Sequence, residues 1–77
     1  MQTYTFTENA HDDFYDAIIG SGFYNDDIDI VDSNASEQCA IAQLTVDNGL
    51  ITGYKHNSNI TVKQAKQLHD LFVDIIE

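Results

Sequence analysis

Polar and apolar residues alternate at the start of the chain, where Thr3, Thr5 and Thr7 interleave with Tyr4 and Phe6. A period of two marks a strand with one buried face. The period then lengthens. Ala10, Phe14, Ala17 and Ile18 recur at helical spacing and predict a helix over about 10–19 with one apolar side. Asn9 stands where an N-cap would, and Asp12 and Asp13 fall in the first turn, where the helix dipole favours negative charge. At 100° per residue, Asp12, Asp13, Asp16 and Gly20 share an arc of roughly 100° on the polar side. Gly20-Ser21-Gly22 then ends the helix, because glycine takes the left-handed C-cap conformation at little cost.

Phe23-Tyr24-Asn25-Asp26 reads as a loop, and Asp27-Ile28-Asp29-Ile30 as a strand with both isoleucines inward. Ser33-Asn34-Ala35-Ser36 is a polar connection. Two strand-like runs, 39–46 and 50–56, flank Asp47-Asn48-Gly49. Asn-Gly between apolar runs is a hairpin signal, since both residues accept positive φ; loops of two and three residues both fit, so the register stays open. The last element has the fullest local signature. Thr61 and Gln64 have capping-box spacing, and Ile60 is placed to staple against Ala65. Ala65, Leu68, Phe72 and Ile75, widened by Leu71 and Ile76, continue the stripe to about 62–76. The order β-α-β-β-β-α predicts an α+β fold: a small, mostly antiparallel four-stranded sheet with two helices, in one domain over 1–77.

Charge changes this picture most. No lysine precedes Lys55, arginine is absent, and 13 acidic residues against 3 lysines give a net charge of −10. Such one-signed charge opposes compaction, and it argues against direct binding to DNA, RNA or an anionic membrane. At 43% hydrophobic residues, with four Tyr and four Phe, the chain is still too apolar for a disordered acidic tail. The N-terminal stretch lacks the basic and apolar regions of a signal peptide, and no segment has the length of a membrane span. Cys39 has no internal partner and is expected as a reduced, buried small hydrophobe. The expectation is a soluble, cytoplasmic, acidic domain.

Candidate chemistry is sparse. His11, His56 and His69 lie far apart in sequence and outside zinc-ligand spacing, and a Cys39/His56 nucleophile pair has no oxyanion motif beside it. Asp27-Ile28-Asp29 begins like a calcium loop, but Val31, Asp32 and Gln38 occupy positions 5, 6 and 12. Acyl carrier proteins share the size and acidity, yet Asp32-Ser33 is followed by Asn34 where they have leucine. No cofactor, metal or catalytic residue is therefore expected.

The remaining candidates are carboxylates. Asp12, Asp13 and Asp16 form one group and Asp26, Asp27, Asp29 and Asp32 a second; the Gly20-Ser21-Gly22 turn is expected to fold them side by side. Asp27 and Asp29, as i and i+2 of a strand, would stand about 6.5 Å apart, close to the spacing of neighbouring phosphates. Tyr24, within the second group, is a candidate contact aromatic. The second helix carries Lys63 and Lys66 toward its positive end and Asp70, Asp74 and Glu77 toward its negative end, the reverse of what its dipole favours.

In size, charge and compact α/β make-up the whole chain resembles the small acidic inhibitors encoded by phages and other mobile elements, including anti-CRISPR and anti-restriction proteins. The resemblance implies a non-catalytic blocker, in some cases a DNA mimic, that binds a basic nucleic-acid-binding surface of a host defence nuclease complex. The alternative is an immunity protein or antitoxin that plugs a basic nuclease active site.

Overall fold

The computed structural model describes residues 2–77. The chain runs β1 (Thr3–Thr5), α1 (His11–Ile18), β2 (Phe23–Asp26), β3 (Asp29–Asp32), β4 (Ala40–Asp47), β5 (Leu50–His56) and α2 (Val62–Leu71). All pairings are antiparallel, and the five-stranded sheet has the order β1-β5-β4-β3-β2. The α+β class and the two helices agree with the sequence. The strand count does not: residues 23–26, expected as a loop, form edge strand β2 and pair with β3 from Phe23↔Asp32 to Asp26↔Asp29.

That pairing moves the turn. Asp27-Ile28 is a two-residue hairpin connection with Asp27 at φ 55°, so Ile28 is 37% exposed instead of pointing inward, while Ile30 is fully buried. The second hairpin turns on Asn48-Gly49 between Asp47 and Leu50, both at positive φ (52° and 76°). This settles the open register as a two-residue loop with the dihedral signs of a type I′ turn.

Both helices pack on one face of the sheet. Ala10, Phe14 and Ile18 of the first helical segment join Leu68, Phe72 and Ile75 over Phe6, Leu44 and Tyr54 in a single core. Four rings carry its centre: Phe14 stacks on Phe72 at 5.4 Å, and Phe6 and Tyr54 lean on Phe72 at 5.5 and 5.4 Å. Such pairs contribute about 0.5–1.5 kcal/mol each beyond area burial. Burial, then the neighbouring Tyr4, push the Tyr54 phenol up, and its hydroxyl lacks a hydrogen-bond partner among the described residues. Between Ile30/Val31 and β4 the register shifts, and consecutive Ile41 and Ala42 are both buried at that irregularity.

The helix ends differ from expectation in two places. Asn9 sits at φ 64° and turns the chain, so Ala10 holds the cap position of α1 without a side-chain bond. At the other helix the capping box forms as its spacing predicts: Thr61 Oγ1 accepts from Gln64 N–H at 3.0 Å and Gln64 Oε1 from Thr61 N–H at 3.0 Å. However, α2 stops at Leu71 because residues 75–77 are drawn to β1. Ile76 bridges Phe6, Thr7 N–H donates to Ile75 O at 2.7 Å, and Glu77 N–H donates to Thr5 O at 2.8 Å. The outer edge is thereby covered from Thr5 onward, and β2 is the opposite edge of the sheet.

Cys39 is exposed, not buried. It precedes β4 by one residue, outside the alternation, and its Sγ accepts from Asn59 Nδ2 at 3.2 Å. The radius of gyration is 11.4 Å and the extents are 34 × 26 × 22 Å. No helix among the described residues is long and apolar enough to cross a membrane.

Candidate partner-binding surface

The sheet has one face covered by helices and one open. Tyr4, Tyr54 and Leu44 are register partners in or against the core. Their chain neighbours Thr3, Lys55 and Gln43 therefore point the other way. Register continues this second row through Asp29 to Asp26, giving Asp26–Asp29–Gln43–Lys55–Thr3 across all five strands. The open face thus grades from two carboxylates at the β2 edge to a single ammonium on β5.

Tyr24 is on the same face as Asp26, two residues away, and 40% exposed. Its hydroxyl donates to Gln38 Oε1 at 3.3 Å, and Gln38 Nε2 donates to Ser33 O at 3.1 Å. Phe23, its neighbour in sequence, is buried in the core. The two aromatics of the run are separated by the pleat: one packs, the other is presented.

Asp26 and Asp27 are exposed, and Asp29 is partly so. Because Asp27 lies in the turn at positive φ, the strand spacing expected between Asp27 and Asp29 does not apply. The close pair is instead Asp26 and Asp29, directly opposite across the hairpin, where paired Cα atoms stand about 5 Å apart. Like charges in that relation are unfavourable. Asp32 stands apart, since its carboxylate is engaged internally. Oδ1 accepts from Asn34 N–H at 2.9 Å and Oδ2 from Gln64 Nε2 at 3.1 Å, which ties β3 to the capping box of α2.

Asp12, Asp13 and Asp16 are exposed on α1. The buried side of that helix faces the sheet, so its polar side looks away from it. The Gly20-Ser21-Gly22 turn does not bring the two aspartate groups onto one face: one lies on the helix layer, while Asp26 and Asp29 lie on the open sheet. The start of α1 and the two hairpin turns do share one end of the molecule. Ile28 O accepts from Leu44 N–H at 2.6 Å, which sets the first hairpin turn beside the strand leading to the second. Ile51 N–H donates to His11 Nδ1 at 3.0 Å, which sets the start of α1 beside the second turn. Asp47, at that turn, joins this acidic end; only the strand register reveals it.

Little of the negative charge is neutralised internally. The exposed Lys66–Asp70 contact at 2.8 Å is the single ion pair among the described residues, and the Lys66 hydrogen bond holds the Asp70 carboxyl below the usual range. Among the described residues no three His, Cys, Asp or Glu side chains are grouped to hold a metal ion. Comparison with protein-family models, with curated proteins and with solved structures finds no match to this chain.

Proposed function

We propose that this protein is a non-catalytic inhibitor that binds a basic, nucleic-acid-binding surface of a host defence nuclease complex, in the manner of anti-CRISPR proteins. The observation that carries the reading is the unpaired charge: 13 acidic residues, a net charge of −10 and one ion pair among the described residues. Asp26, Asp27 and Asp29 crowd one hairpin beside the half-exposed Tyr24, an aromatic anchor among carboxylates. Asp12, Asp13 and Asp16 extend the field around the acidic end. Stability alone does not favour the Asp26–Asp29 apposition. A complementary cationic surface relieves that repulsion on binding and accelerates encounter.

Capture of partners from host lysate at low salt, followed by mass spectrometry, tests this reading. The expected partner is a nucleic-acid-binding complex whose association weakens as salt shortens the Debye length from about 10 Å at 0.1 M to 3 Å at 1 M. Nucleic acid should compete for the same site. An association indifferent to salt and to competing DNA overturns the electrostatic block.

A further inference from the structure

We propose that a pocket at the acidic end receives an arginine side chain of the partner protein. The pocket, of about 380 Å³, lies where the chain leaves β1, enters α1 and meets the start of β5. Its volume is in the range of small-ligand clefts. Phe6, Leu50 and Ile51 supply apolar wall, and Leu50 is half exposed beside the Asn48-Gly49 turn.

Glu8 and Glu77 line the same pocket, and none of the three lysines does. Both are held in place through the backbone. Glu77 N–H is bonded to Thr5 O, and Thr7, which precedes Glu8, is bonded to Ile75 O. His11 also lines the pocket, and its Nδ1 accepts from Ile51 N–H. Apolar walls with two carboxylates and no lysine suit a side chain that has an alkyl stem and a cationic head. Arginine meets this better than lysine, because its planar fork matches carboxylate geometry and is more weakly hydrated.

This inference rests on the proposed function only for the source of the arginine, so its test uses the isolated protein. Acetyl-arginine amide and its neutral isostere acetyl-citrulline amide are titrated into 15N-labelled protein. The arginine probe should give saturable shifts at residues 5–11, 50–52 and 77, and the citrulline probe none there. Glu8→Gln with Glu77→Gln should weaken the arginine probe at least tenfold. Both sites are exposed, and an unchanged spectrum elsewhere verifies the fold. The combined Asp26→Asn, Asp27→Asn and Asp29→Asn protein should leave the titration unaltered. Equal shifts from both probes, shifts spread over all acidic surfaces, or indifference to the double variant overturn the pocket. A lysate capture that fails while this titration succeeds overturns the proposed partner and leaves the pocket standing.

Discussion

Asp26 and Asp29 face each other as the closing pair of the first hairpin, on the uncovered side of the sheet. Directly opposed like charges destabilise a strand pair by roughly 0.2–1 kcal/mol. The combined Asp26→Asn, Asp27→Asn and Asp29→Asn protein should therefore melt at a slightly higher temperature than wild type. The same protein should lose most of its partner affinity if the hairpin is the contact. Melting temperature and affinity measured on one preparation separate the two effects, and wild-type affinity would remove the hairpin from the site.

His56 gives the fold a pH dependence. It is 8% exposed, its Nε2 has no hydrogen-bond partner among the described residues, and burial lowers its affinity for a proton. The unfolded chain, with an ordinary pKa of about 6.5, then binds the proton more readily than the folded one. This contribution is full above about pH 6.5 and is lost as pH falls through that value toward the lower folded pKa. The comparison is therefore between wild type and His56→Leu, by urea denaturation from pH 8 to 5, and the difference should shift in favour of the variant as pH falls.

Gly53 marks a close approach of β1 to β5. A Cβ there would run into the carbonyl of Tyr4, which is backbone and cannot swing aside. Gly53→Ala should cost about 1–3 kcal/mol, the range for overpacked sites. The urea midpoint reads the loss. A variant as stable as wild type would mean that the β1–β5 pair adjusts at no cost.

The exposed Cys39 thiol should react stoichiometrically with a thiol reagent in the native protein, without denaturant. Its contact to Asn59 is exposed, so Cys39→Ser should change stability by no more than about 0.5 kcal/mol. It should also leave partner binding intact. Slow labelling limited by unfolding would contradict the exposed position.

The features legible in the sequence were those fixed by local backbone chemistry. Thr61 and Gln64 close their capping box within one turn, and Asn48-Gly49 supplies two positive φ angles wherever its flanks pair. The features misread depend on distant partners. Phe23-Tyr24-Asn25-Asp26 ends in two turn-forming residues and is a strand because β3 returns beside it. The expected end of the second helix failed for a similar reason, since residues 75–77 find carbonyl and amide partners on β1. The site inherited these errors. The aspartates were visible as polar positions, but their distribution between two layers follows from β2, and no local periodicity encodes it.

The short antiparallel bridge at residues 75–77 limits how copies of this chain can associate. Open-ended growth of a sheet requires both flanks of each molecule to be available, so that every addition exposes a fresh template. With the flank of β1 occupied by its own chain from Thr5 onward, β2 is the longer edge left for strand pairing between molecules. Pairing β2 with β2 is a two-fold arrangement that consumes both free edges at once. Pairing through β2 therefore stops at a pair, and the aspartates on that edge set even this step against mutual repulsion.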